Sequence, residues 1–460
     1  MRDWKGKHVL VIGAARQGLA ITRFLIQKGA LVTVNDQKTD EELMNLKNSM
    51  SDSNIHWVLG SHPLSLLEDI DLVIVSGGVS LTSPIIQEAI HKGIPLSNDS
   101  QIFMESVNAR VIGITGSSGK TTTTTLVGAI AKADSKSNRQ VFVGGNIGLP
   151  LVDHLNQINK NDWVILELSS FQLELMNVSP HIAAVLNITP NHLDRHHDMQ
   201  AYTAAKAQIL RYQNSQDFAV LNHEDAGSWG LANHVLGKLV TFGLNQLNNG
   251  IPETYLDQGK LYLFDEERKI EIMPTSEIPL RGPHNILNAL TACAISFAAG
   301  FSTEAMHKGI ISITGIPHRL EFVREWRGAQ WINDSIATAP ERTMAAIQSF
   351  DQPLVVLLCG RDKNLPWEEL ATLIHQRVKH VILFGEAADL ISPAVQNEKR
   401  QEFPLSITRC TNLHEAVLSA AKIASSGDVV LLSPGGTSFD EFRDFEERGN
   451  KFKEWVNALQ

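Results

Sequence analysis

The residues with the clearest chemistry are Gly116-Ser117-Ser118-Gly119-Lys120-Thr121, a loop between the apolar run 111–115 and a helical segment. Backbone N–H groups of such a loop, with the unpaired N–H groups of the helix start, form a concave site for polyphosphate. Lys120 supplies charge, and the Thr121 hydroxyl is placed to ligate a magnesium ion bridging the phosphates. The strict pattern asks for a further glycine five residues before Gly119, where Ile114 stands and Gly113 is the nearest glycine. A chance Gly-Lys-Thr is the alternative, but a strand before and a helix after favour phosphate binding. Threonine is a mediocre helix former because it is β-branched. The run 121–125 therefore predicts functional roles for Thr121 and Thr122, and surface or packing positions for Thr123 to Thr125.

A nucleotide-bound cation needs oxygen or imidazole neighbours. Residues 163–170, Trp-Val-Ile-Leu-Glu-Leu-Ser-Ser, form an apolar strand interrupted by one acid. Burying an unpaired carboxylate costs several kcal/mol, so Glu167 requires a cation or a strong donor; a metal partner is preferred to a solvated edge. A strand over 182–188 runs into Thr189-Pro190-Asn191-His192, placing His192 to ligate a second metal or touch the transferring phosphate, whereas His196 and His197 read as exposed loop residues.

A second glycine turn lies near the start. The strand 9–12 leads into Gly13-Ala14-Ala15-Arg16-Gln17-Gly18, and the strand from 31 ends at Asp36. Ala15 stands where a dinucleotide fingerprint has its middle glycine, so a nucleotide-sugar site and a merely structural strand-to-helix turn both remain open. The turn Ser76-Gly77-Gly78-Val79, after the strand 72–75, is expected to face the same crevice.

These elements recur in a pattern. Three times, starting at residues 8, 111 and 354, a short apolar run is followed by a glycine-containing turn and a helical segment. Such alternation builds parallel sheets with ligands beyond the carboxyl ends of the strands. The chain of 460 residues exceeds one ordinary core and suggests about three domains, with boundaries near 104 and 316. Its 43% hydrophobic and 20% charged residues are those of an ordinary globular protein. The formal charge of −10 gives no general basic face for a nucleic-acid backbone. Cys293, Cys359 and Cys410 are scattered, without metal-ligand spacing, which suits a reducing compartment. No apolar run nears the roughly 20 residues of a membrane span, and the N-terminal stretch is no signal peptide, so a cytoplasmic location is expected.

Taken together, the motifs resemble those of the Mur ligase family, over nearly the whole chain. The resemblance is carried by residues 115–122, Gly-Gly-Asn-Ile-Gly at 144–148, Glu-Leu-Ser-Ser-Phe-Gln-Leu-Glu at 167–174, and 191–195. It continues through Ala-Ala-Lys at 204–206, His-Asn-Ile-Leu-Asn-Ala at 284–289, Pro-His-Arg at 317–319, Asn-Asp-Ser at 333–335, and 433–449. Within the family, 144–148, 168–174 and Phe-Glu-Glu-Arg-Gly at 445–449 are similar to the branch that adds D-glutamate. The resemblance implies an α/β fold of three domains, each with a largely parallel sheet. These are a Rossmann-like UDP-sugar domain (1–104), a central ATP-binding P-loop-type domain (105–316), and a Rossmann-like amino-acid domain (317–460).

It also implies an ADP-forming ligase of peptidoglycan precursor synthesis that uses ATP and two Mg2+ ions. ATP phosphorylates the terminal carboxylate of UDP-N-acetylmuramoyl-L-alanine, and the amine of D-glutamate displaces phosphate. On this resemblance Lys120, His192 and Lys206 are catalytic, and Gly116, Ser117, Ser118, Gly119, Lys120, Thr121, Thr122, Asn285, Asn288, Arg319 and Asp334 bind ATP. Asn285 and Asn288 share a helical face; an amide cap or an interhelical hydrogen bond is the alternative. Thr121, Glu167, His192 and a carbamylated Lys206 are the implied metal ligands. Carbamylation needs a neutral amine, so Lys206 should sit where desolvation or nearby positive charge lowers its pKa.

Arg16, Gln17, Asp36, Gln37, Lys38, Gly78, Asn146, Ser169, Gln172 and His192 fall on UDP-substrate positions, and Thr338, Lys363, Ser438, Phe439 and Phe445 on amino-acid positions. A monomer is expected. Two departures bear on the amino acid: Ile336 stands where the family commonly has lysine, and Gly435-Gly436-Thr437 replaces the usual small-residue run. They leave an L-glutamate-adding variant or another Mur ligase open. Rivals of another class are a dehydrogenase using the first glycine turn and a nucleotide-binding regulatory module without chemistry.

Overall fold

The computed structural model describes all residues except 1–2, 49, 51–53, 135–138, 147, 149, 192, 281, 314, 316, 363–364 and 398–404. Three sheets carry the fold. In the first, His8–Ile12 is central between Leu31–Asp36 and Leu72–Val75, with Ile55–Leu59 and Leu96–Ser97 at the edges, all parallel. Its strands 8–12 and 72–75 are short β-branched and leucine runs buried on both faces, the pattern of a sheet covered by helices on both sides.

The second sheet has nine strands. Arg110–Thr115 lies between Trp163–Glu167 and Ile182–Val185, so the strand feeding the phosphate loop is flanked by the one that ends at Glu167. Beyond Ile182–Val185 follow Phe218–Asn222, Lys238–Phe242 and Glu253–Asp257 in parallel, then Lys260–Phe264 and Lys269–Pro274 as an antiparallel meander. The helices Lys120–Ala133, His284–Ala299 and Thr303–Ile311 pack together on this sheet. The strand expected over 182–188 ends at Val185. Past that point the chain wraps the phosphate loop: the Asn187 carbonyl accepts Ser117 N–H at 3.0 Å and its side chain accepts Ser118 N–H at 2.9 Å.

The third sheet orders Glu321–Trp326, Ala329–Asn333, Val429–Gly435, Leu354–Cys359, Val378–Leu383 and Ser406–Arg409, parallel except for the first hairpin.

Packing groups the chain into two compact units, 1–278 with 283–313, and 279–282 with 314–460. The first two sheets share one unit because one apolar cluster runs through both, from Val11 and Leu25 through Leu151 and Val152 to Val164. Polar ties reinforce it: Arg23 pairs with Asp153 at 2.6 Å, and Asn98 donates to the Gln172 carbonyl at 2.7 Å. No helix among the described residues is long and apolar enough to cross a membrane.

Candidate active site

The phosphate loop is built on glycine geometry. Gly119 has φ +79° and opens the helix Lys120–Ala133. A Cβ there would lie 2.6 Å from the Asn288 side-chain oxygen, so the loop needs a residue free to adopt left-handed φ and the second helix closes over it. Lys120 Nζ donates to the Gly116 carbonyl at 2.8 Å and the Ser117 carbonyl at 3.3 Å, which holds its charge over the loop. The Ser117 hydroxyl donates to the Thr189 carbonyl at 2.9 Å and lies 3.1 Å from the Tyr202 hydroxyl. The hydroxyls of Thr122, Thr123 and Thr124 are buried without a partner among the described residues, and Thr125 donates to the Thr121 carbonyl. Thr123 and Thr124 are thus packing positions rather than surface ones.

Glu167 is 2% exposed. Its carboxylate accepts the Thr121 hydroxyl at 2.8 Å and the Asn146 amide at 3.0 Å, so strong donors satisfy it as its burial requires. Two carboxylate oxygens and a hydroxyl suit a hard divalent cation. The tight passage of Gly145, φ +105°, beside the Glu167 backbone brings Asn146 there: a Cβ would lie 2.4 Å from the Glu167 carbonyl oxygen. His192, expected at the same site, lies outside the described residues. No group of three or more His, Cys, Asp or Glu side chains that could hold a metal occurs among the described residues.

Lys206, on the helix Met199–Arg211, is 1% exposed and points beneath the loop. Its Nζ donates to the Gly116 carbonyl at 3.0 Å and the Thr115 hydroxyl at 3.4 Å. Burial, and secondarily the Lys120 charge, pull its pKa down to about 7. Desolvation and a neighbouring positive charge are the surroundings that the resemblance implied for this lysine.

Asn285 and Asn288 share one face of the helix His284–Ala299. The Asn288 amide donates to the Asn285 side-chain oxygen at 2.9 Å while its own oxygen abuts Gly119.

In the first sheet the two glycine turns meet: Ser76 donates to the Gly13 carbonyl at 3.0 Å, and a Cβ on Gly13 would lie 2.7 Å from that of Ser76. Asp36 accepts Ala14 N–H at 2.7 Å and Lys38 N–H at 2.9 Å, so it braces the turn from the end of its strand. Gln17 donates to the Gly145 carbonyl at 3.0 Å, while Gln37 and Lys38 are exposed and Arg16 begins the helix Arg16–Gln27. Ser169 caps the short helix Ser170–Leu173 in a reciprocal box with Gln172. The Gln172 amide also donates to the Ser100 hydroxyl at 2.8 Å. Both ends of that side chain are engaged in the protein, so it is first a structural strut.

A cavity of about 220 Å³ opens beside this junction, lined by Ser76, Gly77, Asn98, Gln172, Glu174 and Arg195 among others. Arg195 donates to the Val79 carbonyl at 2.9 Å and the Gly78 carbonyl at 3.4 Å, and lies over Phe171. His196 corrects the sequence reading, for it is buried rather than an exposed loop residue. The turn Leu193–His196 folds it back so that Nε2 lies 2.8 Å from the Ser170 hydroxyl and Nδ1 3.2 Å from Glu174, with its ring stacked on Phe171. His197 is exposed as expected. Arg195 and His196 were missed as functional candidates because only tertiary folding gives a loop histidine partners. The Asp-Arg-His spacing alone carries no such signal.

In the second unit Asp334 is 4% exposed and accepts the Ser433 hydroxyl at 2.9 Å and Leu320 N–H at 3.1 Å. Burial still raises its pKa to about 7. Arg319 is partly buried next to Leu320. Ser335 donates to the Phe445 carbonyl at 2.8 Å and accepts from the buried Arg448 at 3.0 Å. Ile336 and Thr338 are partly exposed. Ser438 is buried, Phe439 is 62% exposed, and Phe445 begins the helix Phe445–Ala458. Lys363 lies outside the described residues.

Parallel sheets, a phosphate loop and a ring of oxygen and amine donors around it define a nucleotide-binding α/β enzyme. Family models match in three stretches: residues 7–98 as "Mur ligase MurD-like, N-terminal domain", 114–296 as "Mur ligase middle domain", and 318–436 as "Mur ligase, glutamate ligase domain". The chain belongs to the Mur ligase family. It is 37% identical over 458 residues to a Clostridium kluyveri protein named UDP-N-acetylmuramoylalanine–D-glutamate ligase, covering 99% of this chain and 97% of that one. A protein of the same name from Symbiobacterium thermophilum is 38% identical over 449 residues, covering 98% and 97%. Among solved structures, the UDP-N-acetylmuramate–alanine ligase of Thermotoga maritima shares the fold at a TM-score of 0.61 and 20% identity, covering 99% of this chain and all of that one. The MurF ligase of the same organism, solved in complex with ADP, does so at 0.55 and 16%, covering 99% and 96%.

Proposed function

We infer that the protein is an ATP-dependent, ADP-forming ligase that adds D-glutamate to UDP-N-acetylmuramoyl-L-alanine in peptidoglycan precursor synthesis, acting in the cytoplasm as a monomer. The observation that carries this reading is the convergence of Lys120, Lys206 and the Thr121–Glu167 pair on one phosphate loop, in a chain whose relatives of that name match it end to end. A carboxylate is a poor electrophile, and phosphorylation turns one of its oxygens into a leaving group.

On this reading residues 1–104 bind the UDP-sugar, with Asp36 and the Gly13 and Gly78 turns shaping its site. Residues 105–316 bind ATP, and 317–460 bind the amino acid. The loop 116–121 cradles the phosphates with backbone N–H groups, and Lys120 swings from the loop carbonyls to the charge that develops in transfer. Thr121 and Glu167, with His192 and a carbamylated Lys206, would hold magnesium, which supplies charge neutralisation when bound. Asn285 and Asn288 face the nucleotide beside Gly119. Asp334 receives the ribose hydroxyls and Arg319 a phosphate, while Thr338, Lys363, Ser438 and Phe445 receive the incoming amino acid, with Phe439 beside them.

The test is ADP and phosphate release with UDP-N-acetylmuramoyl-L-alanine while D-glutamate, L-glutamate, L-alanine and L-lysine are offered separately. Release confined to D-glutamate is expected. Preference for L-glutamate would keep the mechanism and change the product; release indifferent to the precursor would overturn the ligase reading.

A further inference from the structure

Gly435 ends the strand Val429–Gly435 at its carboxyl end, with φ +74°. A Cβ there would lie 2.7 Å from both Cζ3 and Cη2 of Trp367, so the indole rests directly on the backbone of this turn. Trp367 is 5% exposed, and its Nε1 donates to Asp362 at 3.0 Å on the loop that follows the neighbouring strand Leu354–Cys359. One side chain therefore ties together two loops at the carboxyl ends of adjacent parallel strands, where ligands of open α/β sheets bind. The loops are also paired through backbone: Arg361 and Thr437 exchange N–H···O bonds of 2.9 Å in both directions. Behind the turn, Arg448 donates to the Gly436 carbonyl at 3.3 Å. A buried indole N–H needs an acceptor; here Asp362 of the loop supplies it, while the ring rests where no side chain fits.

We propose that Trp367, seated on Gly435, is a positioning residue that sets the shape of the amino-acid-binding turn 435–438. The substitution of glycine for other small residues in this turn is the counterpart of the large indole, and the pair fixes how Ser438 is presented to the incoming amino acid. The proposal rests on the amino-acid ligase reading above.

The experiment measures kcat and KM for D-glutamate, ATP and the UDP-precursor in wild type, Trp367→Phe, Gly435→Ala and the double variant. Trp367→Phe keeps most of the apolar contact and removes the donor to Asp362. Its KM for D-glutamate should rise about three- to tenfold, the equivalent of one hydrogen bond, with ATP and precursor KM within about twofold. Gly435→Ala should raise the same KM further, and adding Trp367→Phe should recover part of that loss because the smaller ring makes room. If Gly435→Ala does not fold, Trp367→Phe decides. An unchanged KM for D-glutamate, an equal rise in all three KM values, or a double variant no better than Gly435→Ala overturns the clamp while an active wild type leaves the ligase reading standing. A wild type that releases no ADP with any amino acid removes both.

Discussion

Lys120 and Lys206 donate to the same carbonyl oxygen, that of Gly116, at 2.8 Å and 3.0 Å. Two amines drawn to one acceptor cannot both carry charge cheaply in a buried site, and the more deeply buried Lys206 is the one driven toward neutrality. On the proposed function, this is the amine that carbamylation would use.

Lys206→Ala should lower turnover by about 100-fold or more, and removing dissolved carbon dioxide near pH 7 should lower wild-type activity until bicarbonate restores it. Folding stability provides a second check. A lysine whose folded pKa is about 7 against 10.5 when unfolded penalises the fold below pH 7, and the penalty lifts as pH rises toward 10.5. Lys206→Met should flatten that rise in thermal unfolding scans. Lys120→Met should move the reactivity of the Lys206 amine toward amine-labelling reagents to higher pH, since a neighbouring positive charge is removed. Retained activity in Lys206→Ala would falsify the assignment.

Glu167 holds Thr121 and Asn146 with its two oxygens. Glu167→Gln conserves volume but removes the charge, so stability should change little while the magnesium concentration needed for half-maximal activity rises at least about tenfold. A magnesium titration of ADP release measures this; an unshifted curve argues that the carboxylate serves only to order Asn146.

Asp334 has its pKa raised to about 7 by burial. The folded state binds a proton that the unfolded chain releases near 3.8, so its contribution is complete below that pH and is lost as pH rises through 7. Asp334→Asn should therefore be more stable relative to wild type at pH 8 than at pH 5. The reverse order in thermal melts would show that Arg319 and Ser433 hold the carboxylate ionised.

Much of the framework was legible because it rests on local rules. The strands His8–Ile12 and Leu72–Val75, the helix opening at Lys120 and the buried acid at 167 follow from apolar runs, glycine turns and the cost of an unpaired carboxylate. Positions set by long-range packing were less so. His196 looked like solvent-facing loop until Ser170, Phe171 and Glu174 closed around it. The apolar run 182–188 predicts a longer strand than forms, because the sequence does not show that Asn187 leaves the ladder to hold the phosphate loop. Trp367 carries no motif at all; its role rests on a glycine about 70 residues later, a pairing that only close packing reveals.

The shared core of the first two sheets has an engineering consequence. Gln172 bonds Ser100, Arg195 bonds Gly78 and Val79, and Gln17 bonds Gly145 across the expected boundary at 104. A truncation beginning at residue 105 would strip these donors and acceptors of partners and lay open apolar surface around Leu151 and Val152. The nucleotide-binding half is thus no transplantable module: expressed alone it should aggregate, and chimeras within the family should exchange residues 1–278 together with 283–313 as one block.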